Sequence, residues 1–195
     1  MSLTELEPGL EEWMINSARS LRSKAEEIRV FEKEDIYIEY WIQNELAYCL
    51  PWSEGGMFLV DQGQGLAVSG SEKYPDFLLC FPHSPRVYFF ELKDLLTKRN
   101  LARNRRALAE TTEFMASNAS RSETIARWKR ARLPKFLEFG GQMENRGFAF
   151  GGIGFGSSHV NEENLKLSIP AKQWHWNVGN DWIITLLLAE NVMSN

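Results

Sequence analysis

Residues 74–94, YPDFLLCFPHSPRVYFFELKD, decide the fold of this chain. Two apolar runs, 77–81 and 87–92, flank a Pro-His-Ser-Pro segment at 82–85. Runs rich in Phe, Tyr and Leu and bounded by prolines predict the two strands of a β-hairpin. Proline cannot donate to a β-ladder, so both prolines belong to the turn. Because the runs are apolar on both faces, we expect central strands that are covered on both sides.

The charged residues at the ends of these runs form a candidate functional site. A turn centred between His83 and Ser84 sets Asp76 opposite Glu91. Side chains alternate between the faces of a strand, so Glu91, Lys93 and Asp76 share one face. Two carboxylates and one ammonium are therefore expected to cluster at the end of the hairpin farthest from the turn. Such charges beside a buried hairpin cost free energy unless they bind something.

Length and composition predict one globular domain with an ordinary core. The chain has 195 residues, of which 44% are hydrophobic and 25% charged. No apolar run approaches the roughly 18 residues needed to span a membrane, and no signal-peptide pattern opens the chain. The two cysteines, Cys49 and Cys80, lie in apolar segments and are predicted to be buried free thiols. We therefore expect a cytoplasmic protein without a membrane partner.

The net charge of −4 conceals a strong asymmetry along the chain. Residues 1–90 carry an excess of eight negative charges, whereas residues 91–135 carry an excess of seven positive charges. A basic block that begins at the candidate site predicts a polyanionic partner. The alternative is a solvated helix face, which is the commoner explanation of a charge run taken alone.

Apolar periodicity, together with breaks at proline and glycine, predicts helices at 5–30, 34–50, 94–117 and 121–132. A strand, a turn and a return strand are expected within 55–70. In the second helix, Glu39 and Glu45 lie at the two margins of the apolar stripe. From position alone, either glutamate could point into a site.

The C-terminal third is rich in glycine and aromatic residues. The segment 152–156, GIGFG, lacks the Gly-Lys-Ser/Thr ending of a phosphate loop, so residues 139–157 are predicted to hold a glycine-containing strand packed closely on a neighbour. Further strands are expected at 165–169 and 182–188, although the last segment is also compatible with a helix. The intervening Trp174-His175-Trp176 is interpreted as core filling, with base stacking as the alternative.

Two short motifs and the order of the elements resemble the PD-(D/E)XK nuclease superfamily, the restriction-endonuclease-like proteins. Pro75-Asp76 matches the PD motif, and Glu91-Leu92-Lys93 matches (D/E)XK. The helix at 34–50 is similar to that of members in which a glutamate precedes the first core strand. Six positions fit that pattern in register: Glu39, Ile42, Gln43, Leu46, Ala47 and Leu50. The match favours Glu39 over Glu45 as the helix acid and leaves Glu45 as the alternative.

The resemblance implies an α/β fold with a restriction-endonuclease-like core of order αβββαβ, in which helices flank a central mixed β-sheet. This core is expected over residues 34–155 of a single nuclease-like domain spanning 1–195. The helix within 1–30 is an addition at the N-terminus, and residues 158–195 are expected to extend the sheet.

The resemblance also implies a metal-dependent endonuclease that hydrolyses the phosphodiester bonds of DNA. Asp76, Glu91 and the backbone carbonyl of Leu92 would hold Mg²⁺, for which Mn²⁺ is an acceptable substitute. Lys93 would orient the attacking water and neutralise developing negative charge. Glu39 would complete the set of catalytic residues.

Nucleic acid is the partner implied by the resemblance, with DNA favoured over RNA. The helix after Lys93 is expected to hold flanking phosphates through Lys98, Arg99, Arg103 and Arg106. Homodimer formation is also compatible with the resemblance, since many members of the family act as dimers. Two alternatives remain: a catalytically inactive nuclease-fold protein that binds nucleic acid or a protein partner, and an α/β interaction protein unrelated to nucleic acid.

Overall fold

The computed structural model describes residues 5–50, 57–60, 75–81, 84–118, 147–158 and 167–189. Within these ranges the helices are α1 (Pro8–Ser23), α2 (Ala25–Lys33), α3 (Glu39–Tyr48) and α4 (Leu101–Asn118), with a 3₁₀ turn at Lys98–Asn100. The strands are β1 (Met57–Val60), β2 (Phe77–Cys80), β3 (Arg86–Leu95), β4 (Gly147–Ser157), β5 (Ala171–Gly179) and β6 (Trp182–Ala189).

The six strands form one mixed sheet in the order β1-β2-β3-β4-β6-β5. Only β3 and β4 pair in parallel; the other neighbours are antiparallel. A parallel pair needs a crossover connection, and α4 lies in the segment that joins β3 to β4. The prediction of an α/β protein with a mixed sheet flanked by helices is confirmed.

The predicted hairpin is present, with the predicted register. Phe77 lies opposite Phe90 and Cys80 opposite Val87, as a turn centred between residues 83 and 84 requires. Residues 82 and 83 themselves lie outside the described ranges. Strand β3 is buried along its length except at Arg86 and Lys93, which are partly exposed. It is therefore a central strand covered on both faces, as the apolar pattern indicates.

Helices pack on both faces of the sheet. On one face, the Trp13 ring of α1 meets Phe77 edge-on at 6.3 Å between centroids, and its indole N–H donates to the Leu46 carbonyl of α3 at 2.9 Å. On the other face, Leu108 of α4 packs with residues of β3 and β6, including Leu95 and Leu187. The indole bond satisfies a polar group that would otherwise be costly to bury.

Strand β4 packs closely on α4, as the glycine-rich sequence predicts. A Cβ at Gly152 would lie 2.5 Å from Leu108 Cδ1 and 2.9 Å from Thr112 Oγ1, both on α4. A larger residue at this position would force the side chains of Leu108 and Thr112 to shift.

The predicted N-terminal helix at 5–30 is in fact two helices. At Lys24 the backbone leaves the helical region, and its N–H donates to the Leu21 carbonyl at 3.0 Å in a tightened last turn. The next helix was expected to begin at residue 34, but Asp35 adopts a positive φ of 51° and α3 begins only at Glu39.

The start of the predicted helix at 94–117 is also wrong, because β3 continues to Leu95. Leu95 pairs with Gly156 in the parallel ladder, and α4 begins at Leu101 after the 3₁₀ turn. The composition of this segment suits a helix, but pairing with a strand about sixty residues away overrides the local preference.

The C-terminal predictions are correct in part. Of the strand predicted at 165–169, residues 168 and 169 form a bend, and residues 165 and 166 lie outside the described ranges. Strand β5 begins at Ala171, so Trp174 and Trp176 lie within a strand. Both rings pack against the core, as predicted, and residues 182–189 adopt the strand alternative. The predicted helix at 121–132 and the return strand near 66–68 lie outside the described residues.

Cys49 is a free thiol, as predicted, but it is half-buried and not fully buried. The side chain of Cys80, also predicted to be buried, lies outside the described part of the structure. Within the described ranges, every helix is too short or too polar to cross a bilayer.

Candidate active site

The candidate site forms where β3 continues past the start of β2. Strand β2 begins at Phe77, opposite Phe90, so the next residues of β3 have no ladder partner on that side among the described strands. Buried backbone donors need acceptors. The N–H of Leu92 donates to Asp76 Oδ2 at 2.6 Å, and the N–H of Asp94 donates to Glu39 Oε2 at 3.4 Å. Two side-chain carboxylates thus take the place of a neighbouring strand.

Lys93 lies at the centre of these acidic groups. Its Nζ is 2.8 Å from Glu91 Oε1, 3.2 Å from Glu39 Oε1 and 3.6 Å from Asp76 Oδ2. It also donates to the backbone carbonyl of Leu92 at 2.7 Å. We call Glu39, Asp76, Glu91, Lys93 and the Leu92 carbonyl the Lys93 cluster. The structure thus brings together every residue predicted from the PD-(D/E)XK resemblance to be catalytic or to hold metal, except the alternative Glu45.

The cluster is largely shielded from water, which changes its protonation. The Glu91 side chain is 8% exposed and the Lys93 side chain 13%. Burial, and then the charge of Asp76, raises the pKa of Glu91 to about 7. Burial also raises the pKa of Asp76, against the opposing effect of Lys93. Burial alone would lower the pKa of Lys93, but the three carboxylates outweigh it and hold that pKa above its ordinary value.

The cluster has excess negative charge for its single cation. When all groups are ionised, three carboxylates face one ammonium, which leaves two negative charges. Additional positive charge at this position would lower the electrostatic free energy, since the low local dielectric strengthens the attraction. The excess matches the charge of one divalent ion.

The donor atoms fit Mg²⁺, although Lys93 now contacts them. Carboxylate and carbonyl oxygens are the ligands that Mg²⁺ prefers. Within the described ranges, no set of three or more His, Cys, Asp or Glu side chains is arranged around a common metal position. The oxygens expected to hold a metal, Asp76 Oδ2, Glu91 Oε1 and the Leu92 carbonyl, all face Lys93 Nζ. A metal ion at these oxygens would require Nζ to withdraw.

Glu39 and Glu45 occupy different environments. Glu39 lies at the first turn of α3 and contacts Lys93. Glu45 instead forms an ion pair with Lys24 and accepts a hydrogen bond from Ser20 Oγ at 3.4 Å. The structure therefore places Glu39 in the cluster and Glu45 in the packing of α3 on the N-terminal helices.

Asp94 is a structural element of the site that sequence reasoning missed. Its side chain is fully buried, yet it has no cationic partner among the described residues. The carboxylate accepts hydrogen bonds from the N–H groups of Ile38 (3.3 Å), Leu96 (2.8 Å) and Thr97 (3.2 Å) and from the Thr97 hydroxyl. Because Ile38 immediately precedes α3, Asp94 fixes the start of the helix that carries Glu39. An Asp followed by Thr three residues later at the end of a strand is the signal that could have found it.

Two further side chains brace the cluster. Gln43, one turn after Glu39, donates from Nε2 to the backbone carbonyl of Asp76 at 3.2 Å. Gln43 was part of the matched helix pattern, but no role was predicted for it. Burial, and then the interaction with the Glu39 carboxylate, raises the pKa of Tyr37.

The four cations predicted to bind nucleic acid are not equivalent. Arg103 lines a cleft of about 260 Å³ whose wall also includes Lys93. Arg99 Nε lies 3.5 Å from Asp35 Oδ2, which partly neutralises it. Lys98 is exposed and lines a different cleft of about 550 Å³ that includes no member of the Lys93 cluster. Arg106 is exposed on α4. Among the clefts formed by described residues, Arg103 shares one with Lys93.

Replacing Glu91 by Gln is expected to stabilise the metal-free protein at pH 8. The pKa of Glu91 is about 7 in the folded state, against an ordinary value of 4.5. Its stabilising contribution is therefore complete below about pH 4.5 and is lost as the pH rises toward about 7. Glu91→Gln should raise the free energy of unfolding at about pH 8 by roughly 1–3 kcal/mol and should flatten the decline between about pH 5 and 8. Urea unfolding in EDTA measures both, and a variant less stable than wild type at pH 8 would contradict this account of the site.

Comparison with known proteins does not assign the chain to a family. A scan against protein-family models gives no match, and searches of curated proteins and of solved structures give none either.

Proposed function

We propose that this chain is a Mg²⁺-dependent endonuclease of the PD-(D/E)XK type that hydrolyses phosphodiester bonds of DNA. The observation that carries the proposal is the convergence of Glu39, Asp76 and Glu91 on Lys93 at the unpaired side of β3. A buried site with excess carboxylate, one lysine and an adjoining basic helix suits the binding of a divalent metal and a phosphate.

The topology supports a restriction-endonuclease-like core. From α3 to β4 the order of the described elements is αβββαβ, with β1, β2 and β3 antiparallel and β4 added in parallel after α4. This is the order that the resemblance implies. The PD motif directly precedes β2, and the (D/E)XK motif lies in β3, with its first residue opposite Asp76 when the ladder is extended by one residue.

In this mechanism, Asp76, Glu91 and the carbonyl of Leu92 would hold the metal. When bound, Mg²⁺ would lower the pKa of a coordinated water and stabilise negative charge on the phosphate. Lys93 would release these oxygens and present its ammonium to the water and the phosphate. Its raised pKa keeps the ammonium charged at neutral pH. Glu39 and Gln43 position Lys93 and the Asp76 backbone, respectively.

A second candidate is a nuclease-fold protein that binds nucleic acid without cutting it. The observation that favours it is that Lys93 already contacts the oxygens a metal would need. This candidate predicts salt-sensitive binding of nucleic acid and no cleavage with either Mg²⁺ or Mn²⁺.

Replacing Glu39 by Gln tests the assignment of the helix acid, with Glu45→Gln as the matched control. Glu39→Gln removes a carboxylate that contacts Lys93 and should lower the rate of Mg²⁺-dependent DNA cleavage by roughly 10- to 100-fold. Glu45→Gln alters only the contacts with Lys24 and Ser20 and should retain cleavage within about threefold. Equal losses in the two variants would contradict a specific role for Glu39.

A further inference from the structure

We propose that the cleft beside Lys93 binds one nucleotide of a single-stranded nucleic acid. Arg103 would contact a phosphate, and the Tyr37 ring would stack on the base. This inference rests on the proposed function and names the form of its substrate. The cleft has a volume of about 260 Å³ and is lined by Tyr37, Lys93, Asn100, Arg103, Asn104 and Ala107.

The position of the cleft connects it to the proposed chemistry. Lys93 lies at the centre of the Lys93 cluster and also forms part of the cleft wall. A phosphodiester that reaches Lys93 through this cleft would place its neighbouring nucleotide between Tyr37, which precedes α3, and the first turns of α4. The larger cleft, which is lined by Lys98, offers no such path because no cluster member lies in its wall.

The size of the cleft favours one nucleotide over a duplex. Its volume is slightly below the roughly 300–1,000 Å³ of pockets that enclose drug-sized ligands. A single base with its sugar is of that scale, whereas a stacked base pair flanked by two backbones is much larger. A duplex could therefore contact the rim of the cleft but could not enter it.

The side chains of the wall suit the parts of a nucleotide. Arg103 is exposed and has no ion pair among the described residues, so its guanidinium can make paired hydrogen bonds to a phosphate. Tyr37 is 47% exposed. An exposed aromatic face can stack on any base. Asn100 adds a partly exposed amide to the wall.

Binding of a labelled single strand of about eight thymidines tests the proposal by fluorescence anisotropy in EDTA, at about 0.1 M salt. Arg103→Ala should weaken binding about tenfold or more. Arg19→Ala removes the same charge from the exposed surface of α1, outside the cleft wall, and should weaken binding by about threefold at most. Tyr37→Leu should weaken binding about tenfold, whereas Tyr37→Phe keeps the ring and should stay within about threefold of wild type.

The wild-type protein should bind the single-stranded oligonucleotide more tightly than it binds a duplex of equal length. Equal effects of Arg103→Ala and Arg19→Ala, equal effects of the two Tyr37 variants, or a preference for the duplex would each overturn the proposed nucleotide-binding cleft. Because these readouts do not involve cleavage, they separate the two proposals. If the binding results are as predicted but the protein does not cut DNA with Mg²⁺, the nucleotide-binding cleft is supported and the nuclease activity is refuted. If the protein cuts DNA and these variants cut it as wild type does, only the nucleotide-binding cleft is refuted.

Discussion

Lys93→Met should lower the rate of Mg²⁺-dependent DNA cleavage by at least about a hundredfold while leaving the protein folded. Nζ is the only cation within 4 Å of the three carboxylates among the described residues. Removing it takes away the group proposed to orient water and to neutralise charge on the phosphate. Methionine nearly keeps the length of the side chain, so the packing beside β4 is retained.

The same variant should depend more strongly on metal for its stability. Without the ammonium, the three carboxylates repel one another unopposed, so the unfolding temperature in EDTA should fall. A divalent cation should then raise it by more than it raises the wild-type value. Cleavage time courses and thermal unfolding with and without Mg²⁺ measure both effects.

The control for Lys93 is Lys33→Met, which removes an exposed lysine whose only described ion pair is with Glu34. It should retain cleavage and unfold as wild type does. If Lys93→Met kept more than about a tenth of the wild-type rate, Lys93 would not be a catalytic residue.

Asp94→Ala should destabilise the protein by about 3 kcal/mol or more. The substitution leaves buried N–H groups of Ile38, Leu96 and Thr97 without an acceptor, and each unsatisfied buried donor costs roughly 1–3 kcal/mol. Urea unfolding measures the loss. Asp181→Ala, which removes an exposed carboxylate, should stay within about 0.5 kcal/mol of wild type.

Asp94→Asn separates the positioning role from the structural one. Asparagine keeps one acceptor oxygen for the turn at Leu96 and Thr97, but it presents an amide N–H₂ where the Ile38 N–H and the Thr97 hydroxyl donate. The start of α3, and with it Glu39, loses its anchor. We expect a folded protein whose kcat for cleavage falls about tenfold with little change in KM. A variant as stable and as active as wild type would show that Asp94 does not position Glu39.

The candidate site follows from local sequence pattern to a large extent. Alternating side chains and two prolines predict the hairpin and its register, and the register alone brings Asp76, Glu91 and Lys93 together. The helix acid needed the family pattern as well, because Glu39 and Glu45 are equivalent by periodicity. In the structure, tertiary packing separates them, since Glu45 pairs with Lys24 and Glu39 pairs with Lys93.

What the sequence could not predict depends on contacts between distant segments. The local sequence at the end of β3 predicts a helix, but this segment pairs with β4. The helix preference near Leu95 is worth less free energy than the ten-residue parallel ladder. The role of Asp94 likewise appears only when the start of α3 comes to lie against it. The cleft beside Lys93 is lined by Tyr37 and by residues 100–107, which are distant in sequence. The spacing of residues along the chain therefore does not predict it.

Cleavage of DNA by the purified protein, measured across a titration of Mg²⁺ with an EDTA control and with Asp76→Asn, tests the central claim most directly. The proposed mechanism predicts phosphodiester hydrolysis that rises with Mg²⁺, is also supported by Mn²⁺, and is absent in EDTA and in the variant. Hydrolysis that persists in EDTA or in folded Asp76→Asn, or no hydrolysis of DNA at any concentration of either metal, would contradict it.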